Sequence, residues 1–308
     1  MKKTFYSHGK LLLTGEYVIL DGAKGLAIPT KKGQSIVVTT NTSGKIEWKS
    51  YNYYGNIWYK TEVEISELLK LNPPKGNSEF DKKLFKILWE AQQLNPEFLT
   101  VENGFIVETH LEFERLWGLG TSSTLINNIA KWARVNPFEL LNKSFGGSGY
   151  DIAAAEAEQP IFYQRTVDEN KPLINEVNFD PPFKDQLFFV YLEEKKDSKN
   201  AIKNYRSQSA TNLQSVISTI NQLTDEISSC SDIETFENLL NEHEKVIASI
   251  LKTETIKQQR FPDFSGTVKS LGGWGGDFVL ATGTTNASIN YFSRKGYKTI
   301  LPYAEMIL

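Results

Sequence analysis

One short run of glycines and hydroxyls, Gly118 to Thr124 (GLGTSST), constrains the fold of this chain more than any other segment. Ahead of it, Phe105 to Phe113 alternates polar and apolar residues like a half-buried strand. Behind it, Leu125, Ile129 and Trp132 recur at helical spacing. The chain must therefore turn from strand to helix through a glycine bend. Glycine lets a backbone approach a ligand closely. The first amides of a helix lack intrahelical partners and, with the helix dipole, form an anion site. Hydroxyls on Thr121, Ser122 and Ser123 add ligands for phosphate or metal. The plain alternative is a glycine turn with a serine N-cap.

The segments on either side extend the pattern. Leu11 to Leu20 and Gln34 to Thr40 read as strands joined by a turn at Asp21-Gly22. Ile46 to Tyr59 is crowded with aromatics around Gly55-Asn56 and reads as a hairpin, either sheet packing or a base-stacking platform. Helices are predicted over Glu79 to Gln93, from Asn136-Pro137 onward with Asn136 as N-cap, and from Asp151 to about Glu158. Past Arg165, Gln186 to Leu192 reads as a strand and Asn200 to Leu251 as helices broken around Ser228 to Asp232. A third glycine cluster, Leu271 to Thr282, runs into a strand, followed by a helix at Ala287 to Arg294 and a strand at Lys298 to Leu301. Helices and strands mix in both halves, which implies an α/β or α+β protein.

Composition narrows the function. The chain has 308 residues, 40% hydrophobic and 23% charged, enough for a sizeable packed core. Its net charge of −3 argues against a nucleic-acid backbone as main partner. Cys230 alone allows no internal disulfide, which suits a reducing compartment. No apolar run is long enough for a membrane span, and Gly9, Lys10, Gly15 and Glu16 interrupt the N-terminal apolar stretch, so a cytoplasmic protein is expected. His8, His110 and His243 lack metal-ligand spacing.

Four segments gather the unusual residues: SHGKLLLTGEY with Lys10, Glu16 and Tyr17; GLGTSST; GGSGYDIA with Asp151; and KSLGGWGGD with Lys269 and Asp277. Glycine-framed amides, a lysine, a hydroxyl and an aspartate are what phosphoryl transfer requires: charge stabilisation, a metal ligand, and a group to orient or deprotonate the acceptor. A Walker-type P-loop and the protein-kinase motif set are both absent, and GGWGG does not follow a strand and open a helix as a dinucleotide fingerprint would.

In that order, the segments resemble the GHMP small-molecule kinases over the whole chain, nearest the mevalonate and phosphomevalonate kinases; GYDIA also resembles a bacterial subgroup named for that string. The resemblance implies an α+β, two-domain fold: a ribosomal-protein-S5-like N-terminal domain over 1–165 and a ferredoxin-like domain over 166–308, with the site between them. It implies ATP and Mg²⁺ as cofactors. Gly118, Leu119, Gly120, Thr121, Ser122 and Ser123 would hold the triphosphate, with Ser122 on the metal. Lys10 and Asp151 would be catalytic. Glu16, Tyr17, Ser148, Gly149, Gly272, Gly273, Trp274 and Gly275 would line the acceptor site. Glu139 stands near the position of a family metal ligand, and equally in a capping-box position after Asn136. Lys196, Ser198 and Lys199 open a long predicted helix and are either acceptor contacts or a solvated face. The implied partner is a small-molecule acid, mevalonate 5-phosphate or mevalonate, and a homodimer is possible. The alternative is a non-catalytic relative that binds a metabolite. The chain departs from the family pattern in three places: Glu114 and Leu116 flank the loop, His8 precedes Gly9-Lys10, and Trp274 replaces a glycine. An indole is not expected to follow that backbone into positive φ.

Overall fold

The computed structural model describes residues 1–194, 198–207, 212–274 and 276–308, with the backbone alone at 198–201, 204 and 285. In chain order the first part runs β1 (Lys2–Leu12), β2 (Gly25–Asn41), β3 (Lys45–Tyr51), β4 (Ile57–Glu64), α1 (Ile65–Leu68), α2 (Glu79–Leu94), β5 (Gly104–Leu111), α3 (Thr121–Ala133), α4 (Pro137–Ser144), α5 (Tyr150–Glu156), β6 (Ile161–Gln164) and β7 (Leu173–Glu176). The second runs β8 (Leu187–Tyr191), α6 (Ser198–Ser207), α7 (Leu213–Ser229), α8 (Ile233–Leu251), α9 (Ile256–Arg260), β9 (Val268–Ser270), β10 (Phe278–Thr282), α10 (Thr285–Arg294), β11 (Ile300–Pro302) and α11 (Tyr303–Met306).

The first part forms a sheet in the order β4-β3-β5-β2-β6-β7, with β1 also paired to β2. The long β2 is its spine. Its first residues pair with β6, its last eight with β5, and β1 runs antiparallel to it. The β3–β5 pair is parallel, because α1 and α2 cross over between them. Helices α2 to α5 cover the sheet around a core that includes Trp48, Leu88, Val107, Ile126 and Ile152. Helix α2 opens on a reciprocal capping box between Ser78 and Asp81, which satisfies two of its free amides.

The second part is an antiparallel sheet in the order β11-β8-β10-β9. A second core crosses between the two parts. Leu13, Leu26 and Phe113 from the first pack with Phe189, Ile220, Phe236, Leu240 and Phe278 from the second. Each such fully buried side chain contributes about 1.5–3 kcal/mol on leaving water, so the two parts are joined by core rather than by surface. The mixed α+β architecture agrees with the sequence reading.

Most predicted elements are present, including the aromatic hairpin, the helix after the glycine loop and the break at Cys230 to Asp232. Boundaries differ at the first two strands, and the second begins at Gly25 rather than Gln34. The first strand is Lys2–Leu12 rather than Leu11 to Leu20. Gly15 and Tyr17 take positive φ (87° and 63°), so the chain bends, and Val18–Asp21 forms a 3-10 turn closed by Gly22. Its apolar residues are buried by that bend, not by strand pairing. The change of sheet falls between Glu176 and Leu187, because β7 pairs with β6.

Candidate active site

The glycine loop is built as its sequence requires. Gly118 and Gly120 have φ of 69° and 95°, conformations that side chains rarely adopt, and Gly120 is the N-cap of α3. A Cβ on Gly118 would overlap the Asp277 carboxyl, and one on Gly120 would press on the stem of Lys10. Leu119 is buried, and its carbonyl accepts the Lys10 amide at 3.0 Å, which ties loop to β1. Ser123 donates its hydroxyl to the Gly120 carbonyl at 2.9 Å. Thr124 is buried and reaches the Gln34 side chain at 2.7 Å. Ser122 is exposed and faces the cleft. The loop's hydroxyls are thus divided between holding the turn and facing a ligand.

Lys10 lies just past a bulge in β1 at His8/Gly9. Its Nζ donates to the Gly118 carbonyl at 3.0 Å and sits 5.4 Å from the centre of the Tyr150 ring. Burial works to lower its pKa, but Tyr150, Asp151 and Asp277 together outweigh that and raise it, so it remains an ammonium. Asp151 stands in the first turn of α5, which packs on β1 and α3. Gly149 caps that helix at φ 89°, where a Cβ would meet the Tyr163 hydroxyl at 2.7 Å. Burial, then the Asp151 charge, keep the Tyr150 phenol protonated against the pull of Lys10.

The third glycine segment forms the opposite wall, with Leu271, Gly272, Gly273, Asp277 and Phe278 on the cleft. Trp274 corrects an expectation: its φ is 49°, so the indole residue does enter the left-handed region. The ring packs against the shared core rather than lining the cleft. Bulky residues take such a conformation only when their surroundings hold it. Gly275 lies outside the described residues.

These walls enclose a cleft of about 280 Å³. Among the predicted residues it brings together Lys10, Tyr17, Gly118, Gly120, Thr121, Ser122, Ser123, Ser148, Asp151, Gly272 and Gly273. Leu119, expected at the triphosphate, is buried and does not line the cleft, and three others are also placed elsewhere. Glu16 is fully buried in an ion pair with Lys269, because the bend at Gly15 to Tyr17 turns it inward. Glu139 does not line the cleft; its amide is held at 3.1 Å by the Asn136 cap, so it serves the start of α4. Gly149 sits behind the wall as a helix cap. Lys196 lies outside the described residues, while Ile202 of α6 reaches the cleft.

Tyr150 and Arg115 also line the cleft, although neither was expected as a site residue. Tyr150 stands beside Asp151, and Arg115 lies in the turn before the loop. Arg115 also borders a neighbouring cavity of about 190 Å³ that shares Thr121 and Ser122 with the cleft. Its guanidinium is 4.8 Å from the Trp58 ring centre and 5.8 Å from that of Phe80. Trp48 and Tyr59 also wall this cavity, so the aromatic hairpin faces the loop. Among the described residues no group of three or more His, Cys, Asp or Glu could hold a metal ion, and no helix is long and apolar enough to cross a membrane.

No family model and no curated protein matches the sequence. Solved structures do match its fold. A Lin0012 protein from Listeria innocua is 16% identical with a TM-score of 0.71, over 98% of this chain and 97% of that one. The Methanococcus jannaschii mevalonate kinase is 15% identical with a TM-score of 0.70 over the same shares. Streptococcus pneumoniae phosphomevalonate kinase, in complex with phosphomevalonate and AMPPNP, is 16% identical with a TM-score of 0.68, over 97% of this chain and 99% of that one. From end to end, this chain has the GHMP kinase fold.

Proposed function

We propose that the protein is an ATP-dependent small-molecule kinase that transfers the γ-phosphoryl group of ATP to an oxygen of a small acid, with mevalonate 5-phosphate or mevalonate the best candidates. The observation that carries this reading is the meeting of Lys10, Asp151 and the open N-terminus of α3 in one cleft. The helix amides and the Lys10 ammonium supply positive potential where phosphate charge gathers. In the transfer, the bond from the γ-phosphorus to the β,γ-bridging oxygen breaks and a bond to the acceptor oxygen forms. Asp151 takes the proton of a hydroxyl acceptor; an already ionised phosphate acceptor needs only its orientation. The aromatic cavity beside the loop would hold the nucleoside, and Arg115, which borders both cavity and cleft, would face the nucleotide.

Magnesium fits the site only as a companion of the nucleotide. Among the described residues the cleft offers Ser122 as an oxygen ligand and no cluster of carboxylates, and Mg²⁺ commonly takes one or two protein ligands, with phosphates and water for the rest. When bound, the ion neutralises phosphate charge. Ser122 would hold it together with the nucleotide's phosphates; Glu139, held at the start of α4, does not line the cleft.

The test is ADP release from purified protein with ATP, Mg²⁺ and a panel of mevalonate, mevalonate 5-phosphate, homoserine and sugars. Turnover with one acceptor supports the reading. Tight binding of a panel member without ADP release would replace it with the non-catalytic metabolite-binding alternative.

A further inference from the structure

Directly behind the wall formed by Tyr17 and Leu271 lies a cluster of charges with no access to water. Glu16, His243 and Lys269 are fully buried and Glu244 is 1% exposed. Lys269 Nζ donates to Glu16 Oε1 and, at 2.9 Å, to the Ser270 carbonyl, with Glu244 Oε1 at 3.8 Å. Glu244 Oε1 accepts the Ser270 amide at 3.0 Å, and His243 Nε2 accepts the Gly15 amide at 3.0 Å. His243 therefore carries its proton on Nδ1 and is neutral, so its approach to Glu16 at 3.5 Å is no ion pair. Burial holds His243 uncharged and pushes the Glu244 carboxyl up to about 8. The closest contact in the cluster is the one between Glu16 and Lys269. Each end stands beside the cleft: Glu16 precedes Tyr17, held at φ 63°, and Lys269 is two residues before Leu271.

We propose that Glu16 and Lys269, with Glu244 and His243 around them, form a buried clasp that holds these two cleft-lining loops in register, which makes Glu16 and Lys269 positioning residues for the molecule bound there. Two loops far apart in sequence meet at one directional contact. An apolar pair of similar volume would fill the space at no loss of stability but would not fix the register, because desolvation cancels much of what a buried ion pair gains. The clasp stands on geometry alone; that it positions a phosphoryl acceptor rests on the kinase reading.

Native-state hydrogen exchange on the full-length protein, without ligand, tests the clasp. The amides of Gly15 and Ile19 on one loop and of Ser270 and Leu271 on the other should share one opening equilibrium and one urea dependence. Separate isotherms for the two loops would overturn the proposal, and this measurement needs no variant to fold. Pairing Glu16→Leu with Lys269→Met should then keep the unfolding midpoint while speeding exchange in both loops at least ten-fold; native exchange in that stable double variant would also overturn it. The same variant should bind AMPPNP within two-fold of wild type and show at least a ten-fold higher KM for whichever acceptor the panel yields. An unchanged KM would remove the positioning role. Failure of the wild type to bind AMPPNP would sink the kinase reading and leave the exchange result standing.

Discussion

The two walls of the cleft are held by opposite means. The first, carrying Lys10, Ser122 and Asp151, rests on neutral hydrogen bonds: Ser7 to Asn128 at 2.8 Å, Asn127 to Ser7 at 3.0 Å, Asn128 to the Gln34 carbonyl at 2.9 Å, and Thr124 to Gln34 at 2.7 Å. The second, formed by Tyr17 and the 271–278 loop, rests on the buried Glu16, Lys269 and Glu244. The groups fit for chemistry stand on the first, and the second supplies shape. A neutral network fails a bond at a time and ignores pH. A charged one fails as a unit and responds to pH.

That division breaks first if the reacting groups are not where the comparison puts them. Asp151→Asn should lower turnover by about 10²–10⁴-fold, the usual contribution of an acid–base group, while sparing ATP binding. Lys10→Met should cause a fall of similar size. Single-turnover ADP formation together with an ATP binding isotherm checks both, and wild-type rates in either variant would move the chemistry off the first wall.

On the second wall, Lys269→Met leaves Glu16 buried without its cationic partner. Breaking a buried pair from one side costs about 3–5 kcal/mol, and urea unfolding should register it. A loss below about 1 kcal/mol would mean that water or relaxation compensates the charges, and the contrast between the walls would fade.

Glu244 supplies the pH signature. Its folded carboxyl, near 8, lies above the ordinary 4.5, so its contribution to stability is complete below 4.5 and is lost as pH rises through 8. His243 acts oppositely, because its folded pKa lies below 6.5, but above 6.5 it is neutral in both states. Glu16 is also raised, by burial against the pull of Lys269, and works in the same direction as Glu244. Between pH 6.5 and 8 the wild type should therefore lose on the order of 2 kcal/mol relative to Glu244→Gln. Parallel stability curves for the two proteins across that window would assign Glu244 no titration there.

Local signals made the first wall legible. The alternation into Phe113, the glycines at 118 and 120 and the helical spacing after Thr121 each act within a few residues, and the structure keeps them. Ser148 and Asp151 were readable for the same reason. The second wall was not, since what decides it is long-range. Glu16 reads as a motif residue near a lysine, and nothing in its neighbourhood shows that Gly15 and Tyr17 bend it toward Lys269. Trp274 misled because positive φ is a weak prohibition once a core grips the indole. Arg115 was hidden by distance: its partners Trp58 and Phe80 lie on a hairpin and a helix that only the sheet brings to the loop.

The smallest expected effect tests the neutral side on its own terms. Thr124→Val keeps shape and volume but removes the hydroxyl that Gln34 Oε1 accepts, leaving an acceptor on a 3%-exposed side chain unsatisfied. Such a loss costs about 1–2 kcal/mol. No member of the Ser7, Asn127, Asn128, Gln34 and Thr124 network titrates, so the difference from wild type should be the same at pH 5, 7 and 9. The loop should loosen with it, since Thr124 also packs its hydroxyl against the Gly120 carbonyl at 3.0 Å, and ATP affinity should fall by no more than the stability change allows. A loss that grew or vanished across that pH range would tie the first wall to the charges of the second, and the two would have to be treated as one coupled network.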